Sequence, residues 1–309
     1  MSKSKRSQPQ SDSTSHESFV PWHENDTEQQ ILLNLINTEG FILEDAIDEV
    51  LSRYSHDLTI HRGEVFEKAP HRENIRPEID LWAQSGGFVF LIESKKSAFD
   101  WIFLQNQDMP YDVHLITGPE KTVSVHNRRL NCIDFVSKQV LEVLPVENKT
   151  TLRKQCGNNK PTNLDLPMRS TREDLVRSAV RQTLFNTEIL IHHQLREGSW
   201  KGQGHRIFIP IIVTNASLFS GSYSPIDINT QADLTKITLK PIVSAAFNHS
   251  EILRWGPHYE KTLEHIGQPA WGTRISDDTR FKGSHNKTVF VVNKSHIVSF
   301  INTFIQNIG

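Results

Sequence analysis

Between Phe41 and Tyr54 the apolar residues Ile42, Leu43, Ala46, Ile47, Val50, Leu51 and Tyr54 recur at helical spacing and leave Glu44, Asp45, Asp48 and Glu49 off the stripe. An amphipathic helix is predicted there. Another is predicted just before it, capped by Thr27 and running to Asn37. Residues 58–66 (LTIHRGEVF) read as a strand and 67–76 as a charged loop. The clearest β signal spans 77–97, where two strand-forming runs flank Ser85-Gly86-Gly87. A two-residue Gly86-Gly87 turn sets a register in which paired positions sum to 173. Ile79, Leu81, Ala83, Phe88, Phe90 and Ile92 then share an apolar face, and Glu78, Asp80, Glu93 and Lys95 share the opposite one.

Further along, the pattern predicts a short helix over 98–105, strands at 112–117 and 122–126, and a helix over 132–144. Residues 148–169 are polar and rich in turn formers. A long helix over 171–197 opens with the capping-box pattern Ser170-x-x-Glu173 and stops before Gly198. Residues 206–215 (RIFIPIIVTN) form an apolar run suited to a strand buried on both faces, with Pro210 limiting the paired part to 211–214. Residues 236–246 read as extended. The end repeats strand then helix, with Thr288–Val292 extended and Ser295 capping a helix that carries Ile297, Phe300, Ile301, Phe304 and Ile305.

Composition narrows the class. The 309 residues suffice for a full hydrophobic core, and 37% hydrophobic with 23% charged residues exclude a wholly disordered or collagen-like chain. The longest apolar runs fall well short of the roughly 20 residues that span a bilayer. Residues 1–26 are polar and Ser-rich without an apolar secretory core, which predicts a disordered tail. Cys132 and Cys156 stand far apart with no CxxC spacing, so a disulfide framework and a thiolate zinc site are not indicated, and a reduced cytoplasmic protein is the expectation. With 34 basic and 36 acidic residues, net charge neither requires nor excludes a nucleic-acid partner.

The candidate chemistry lies on the helix and the hairpin. Glu44, Asp80 and Glu93 supply hard oxygen ligands of the kind that suit Mg²⁺, and the i, i+2 spacing puts Lys95 on the face of Glu93. Such a group could hold a scissile phosphate, acidify a bound water and place an ammonium beside it. The acid-x-Lys pattern by itself discriminates poorly, since chance gives about two matches in a chain of this composition. The second match, Glu147-Asn148-Lys149 with Asp134 thirteen residues before Glu147, lacks a hairpin to unite its groups, because Asp134 falls in the stretch that reads as helix.

From Phe41 to about Ser97 the chain resembles the PD-(D/E)XK nucleases, the restriction-endonuclease-like enzymes: a helix with Glu44, a strand with Pro77-Glu78-Ile79-Asp80, a glycine turn, and a strand with Glu93-Ser94-Lys95. The resemblance implies an α/β fold with a mixed sheet flanked by helices, here with insertions, in one elaborated domain over 27–309. It implies Mg²⁺, with Mn²⁺ as a substitute, held by Glu44, Asp80 and Glu93, and Lys95 assisting the attacking water, so that Asp80, Glu93 and Lys95 are the catalytic group. It also implies a nucleic-acid substrate, DNA before RNA, endonucleolytic cleavage in a prokaryotic defence or DNA-processing setting, no membrane, and a homodimer as a weaker expectation. Two segments compete to close the αβββαβ core: the stretch ending at 112–117, or the 171–197 helix with the 207–215 strand. The second is favoured, which makes 98–170 an insertion.

Alternatives stand beside this reading. Glu49 flanks the apolar stripe at an angle similar to Glu44, although Glu44 better resembles the family's early-helix acid, and Glu78 has no assigned role. Arg177 and Arg181 could contact phosphates but suit a solvated helix face. Arg62, Lys68, Arg72 and Arg76 could track a backbone, yet Glu64, Glu67 and Glu73 interleave with them. The alternative function is a catalytically silent nuclease-fold protein that binds nucleic acid or a protein partner.

Overall fold

The computed structural model describes residues 30–33, 36, 41–54, 57–65, 78–97, 99–106, 112–118, 121–126, 134–136, 140–143, 173–196, 206–249 and 286–308. Two compact units divide the chain, Met1–Glu39 and Gly40–Gly309. In the first unit, residues 30–33 and 36 are helical, inside the predicted 27–37 helix, and the predicted tail lies outside the described residues.

Helix α1 (Phe41–Tyr54) has the predicted bounds, and its stripe of Leu43, Ile47 and Leu51 is buried. Strands β1 (Thr59–Val65), β2 (Glu78–Ser85) and β3 (Phe88–Lys95) follow, each antiparallel to the one before. The next five are β4 (Asp100–Asn106), β5 (Asp112–Gly118), β6 (Lys121–His126), β7 (Asp134–Phe135) and β8 (Val140–Val143). Then come helix α2 (Glu173–Arg196) and strands β9 (Ile207–Thr214), β10 (Leu218–Tyr223), β11 (Thr238–Ile242), β12 (Ser244–His249) and β13 (Lys287–Asn293), with helix α3 (Ile297–Ile308) last.

Nine strands form a mixed sheet, ordered β1-β2-β3-β9-β13-β12-β7, with β5 and β6 attached beside β9. Its centre is parallel: β3 pairs with β9 over eight residues, from Phe88↔Ile207 to Lys95↔Thr214, and β9 pairs with β13. The segment ending at 112–117 does not close the core in this way, since β5 meets β9 only at Ile116↔Phe208. Four more strands make a second sheet, β11-β10-β4-β8.

Side-chain alternation on the central strands sorts the core into two layers. Phe90, Ile92, Ile209, Ile211 and Phe290 pack with α1 and α3, whereas Val89, Leu91, Phe208, Ile212 and Val291 pack with α2 and with Trp101, Phe103 and Leu218 of the second sheet. Covering both faces explains why β3 and β9 read as apolar runs rather than alternating ones. Each fully buried Phe, Leu or Ile stabilises the packing by about 1.5–3 kcal/mol.

Two predicted helices are strands. Residues 100–106 pair with β10 and β8, and the aromatic pair Trp101 and Phe103 is fully buried between half-buried Ile102 and Leu104, a period of two. Within 132–144, Asp134–Phe135 pairs with Ala245–Ala246 and Val140–Val143 with β4. The apolar spacing of both stretches is compatible with a helix, but neighbours distant in sequence supply ladders that override it. Pro210 lies inside β9 rather than before it. The N–H of Ile207 points to Gly87, so alternation turns residue 210 away from β3, toward the side where β9 passes from β5 to β13. No donor to β3 is lost there. Ser295 lies inside a short 3₁₀ turn, Lys294–His296, that precedes the last helix; Asn293 caps this turn, its side chain accepting from the N–H of Ser295 at 3.0 Å.

Among the described residues, no helix is long and apolar enough to cross a membrane.

Candidate active site

The hairpin keeps the predicted register, from Ser85↔Phe88 to Leu81↔Ile92, and Gly86 takes the left-handed conformation, φ +54°, that a tight turn requires. The ladder stops one step short of Asp80 and Glu93. On the other side of β2 the pairs Arg62↔Leu81 and Glu64↔Ile79 bracket Gly63, which lies across from Asp80 with φ +58°. The backbone is irregular at this point. Ile79 accordingly packs in the α2 layer beside Trp82, not with Leu81, Phe90 and Ile92 as strict alternation predicts.

Asp80 fills the resulting gap. Its Oδ2 accepts the N–H of Ser94 at 3.1 Å, so a side chain completes what the backbone leaves open. Glu93 and Lys95 share the α2 side of β3, where Lys95 Nζ donates to Glu93 Oε1 at 2.5 Å and to Gln182 Oε1 of α2 at 3.3 Å. Ser94 points to the other side and its hydroxyl donates to Glu44 Oε1 at 3.2 Å. The group therefore straddles β3: Glu93 and Lys95 approach from the α2 face, Glu44 from the α1 face, and Asp80 joins them through Ser94.

The other acids sort by geometry. Glu49 is largely exposed and pairs with Arg53 at 2.5 Å, one helical turn along α1. Glu78 is exposed, and its backbone carbonyl accepts from Asn186 Nδ2 of α2 at 3.1 Å. Asp134 lies in a strand and pairs with Lys240, and Glu147 and Lys149 fall outside the described residues. Arg62 forms ion pairs with Asp45 and Asp48 of α1. Lys68, Arg72 and Arg76 are outside the described residues, and Arg177 and Arg181 lie on the exposed side of α2.

Burial raises all three carboxyls of the group, and neighbouring carboxylates add to it: Asp80 acts on Glu93 and Glu44, and Glu78 acts on Asp80. Glu93, only 2% exposed, is pushed up to about 7, first by burial and then by the charge of Asp80, against the pull of Lys95. Burial also raises Asp80, opposed by the Ser94 hydrogen bond and by Lys95. Glu44 rises through burial and the charge of Asp80. The Lys95 ammonium thus offsets Asp80 and Glu93, while Glu44 has Arg62 as its opposing charge.

Among the described residues, no three His, Cys, Asp or Glu side chains are gathered closely enough to hold a metal ion as they stand. The donor chemistry nevertheless suits a hard dication. Ser94 N–H, Ser94 Oγ and Lys95 Nζ bond Asp80 Oδ2, Glu44 Oε1 and Glu93 Oε1, and Mg²⁺ commonly takes only one or two protein carboxylates and completes its shell with water and phosphate.

Sequence reasoning missed Ser94 and Gln182. Ser94 occupies the unspecified position between the motif residues, and Gln182 lies 87 residues from Lys95 on a helix that reads only as amphipathic. No local signal marks either one. Compared with protein-family models, with curated proteins and with solved structures, the chain gives no match.

Proposed function

We propose that this chain is a Mg²⁺-dependent nuclease with a restriction-endonuclease-like fold, hydrolysing phosphodiester bonds of nucleic acid, with DNA as the substrate and endonucleolytic cleavage as the mode. The reading is carried by one observation: Asp80, Glu93 and Lys95 converge with Glu44 at the carboxyl end of β3, on a helix and three strands that are joined, after the intervening strands β4–β8, by helix α2 and the parallel strand β9.

In this reading Asp80 and Glu93 hold the ion and Glu44 closes the acidic group from the α1 side. A bound divalent ion supplies Lewis acidity at the scissile phosphate and a more acidic water. Lys95, tied to Glu93 and Gln182, presents its ammonium where negative charge develops on the phosphate. Buried Glu93 strengthens these electrostatic interactions because little water screens them.

The test is cleavage of supercoiled plasmid, linear duplex and single-stranded DNA with Mg²⁺, Mn²⁺ or EDTA, by the wild type and by Asp80→Ala and Lys95→Ala. Cutting that needs metal and disappears in both variants is the expected result. Cutting that persists in both variants removes the proposed site. Nucleic-acid binding by a well-folded wild type that never cuts favours the silent binding protein instead.

A further inference from the structure

Ser94 carries no chemistry in the sequence motif, yet among the described residues it is the one that hydrogen-bonds both Asp80 and Glu44. It is buried, 7% exposed, on the α1 side of β3. Its backbone N–H reaches Asp80 Oδ2 at 3.1 Å and its hydroxyl reaches Glu44 Oε1 at 3.2 Å. An ionised carboxylate only accepts hydrogen bonds, so the hydroxyl must donate. The backbone bond to Asp80 survives a side-chain substitution, whereas the hydroxyl, which serves Glu44 and with lesser influence Asp80, is removed by it.

Glu44 needs such a tether. It sits in the first turn of α1, approaches Asp80 across the end of β3, and the cation whose charge acts on it, Arg62, is engaged with Asp45 and Asp48. The charge of Asp80 disfavours an ionised carboxylate beside it. Among the described residues, the Ser94 hydroxyl is the one hydrogen-bond donor to the Glu44 carboxylate.

We propose that Ser94 is a positioning residue of the acidic site, its hydroxyl holding the Glu44 carboxylate beside Asp80 so that the affinity for a divalent cation depends on it. The inference rests on the metal-dependent reading above and names a determinant of cation binding within it. Groups that orient metal ligands typically change metal affinity about 10–100-fold when removed. A residue that merely fills space between β3 and α1 changes stability instead.

The experiment titrates Mn²⁺ into the full-length chain by isothermal titration calorimetry, without substrate, for the wild type, Ser94→Ala, Ser94→Thr, Glu44→Gln and the Ser94→Ala/Glu44→Gln double variant. Urea unfolding is followed in parallel. Ser94→Ala is expected to weaken Mn²⁺ binding about tenfold or more, Ser94→Thr to restore it, and the double variant to lose no more than Glu44→Gln alone. If Ser94→Ala does not fold, Ser94→Cys replaces it as a variant of similar shape with a poor donor. Unchanged Mn²⁺ affinity in folded Ser94→Ala, or fully additive losses in the double variant, overturns the inference while the wild type's own binding and cleavage leave the nuclease reading intact. A wild type that neither binds Mn²⁺ nor cuts DNA overturns both.

Discussion

A lysine–glutamate pair lies at each end of the central parallel strands, fully buried at one end and partly buried at the other, and the two are built differently. At the amino end of β13, Lys287 donates to Glu188 of α2, with side chains 9% and 0% exposed, and so ties the helix to the sheet across 99 residues of chain. At the carboxyl end of β3, Lys95 meets Glu93 only two residues away on its own strand. That second pair joins no distant elements by itself, and it stands beside Asp80 and Glu44, so anionic groups outnumber the cation. Matched buried charges hold parts of a fold in register, whereas unmatched like charges lower stability and leave a place for a further cation.

The comparison breaks most sharply in function. Asp80→Ala and Lys95→Ala are each expected to lower DNA cleavage by about a thousandfold, in line with the loss of a positioned acid–base or electrostatic group, while Lys287→Met leaves the rate per folded molecule unchanged in the same nicking assay. Equal losses at the two lysines would erase the distinction between the two ends.

Stability should show the reverse preference. Removing Glu188 strands a buried ammonium, so Glu188→Ala is expected to cost about 3–5 kcal/mol in urea unfolding. Glu93→Gln should instead stabilise the metal-free protein at pH 8, by about 1–3 kcal/mol.

A pH series sharpens the same contrast. The Glu93 carboxyl titrates near 7 when folded, against an ordinary 4.5, so the folded state binds its proton more tightly. The associated stability is fully present below about pH 4.5 and is lost as pH rises through about 7. Raised Asp80 and Glu44 act with the same sign. Urea midpoints of the wild type should therefore fall between pH 5 and 8 more steeply than those of Glu93→Gln. Parallel curves for the two would show that the acidic group carries no such strain.

The smallest expected effect separates the two helix acids. Glu49→Ala removes an exposed i, i+4 pair with Arg53 and should change stability by no more than about 0.5 kcal/mol, without altering cleavage. Glu44→Gln, measured in the same assays, should reduce cleavage at limiting Mg²⁺.

Which parts of this molecule were legible beforehand follows from where their determinants lie. Helix α1, the Gly86 turn and the β2–β3 register are written locally, in a 3.6-residue stripe, a glycine able to take positive φ, and a period-two apolar face. The spacing of Asp80, Glu93 and Lys95 across that hairpin was legible for the same reason. Strands β4, β7 and β8 were not, because their apolar runs suit either period and partners such as β10 and β12, more than a hundred residues away, decide between them. Pro210 likewise reads as a break until the change of neighbours along β9 reveals the side on which no donor is required.

Sequence by itself determined which residues could form the acidic group and placed them on one helix and one hairpin. Tertiary structure decided how they meet: Gly63 and Asp80 interrupt the regular ladder, Ser94 links two carboxylates on different elements, and α2 brings Gln182 to Lys95. The physical reason is that hydrophobic periodicity is a property of neighbouring residues, whereas hydrogen bonding and electrostatic repulsion at a site depend on distances that only the closed sheet and its covering helices set.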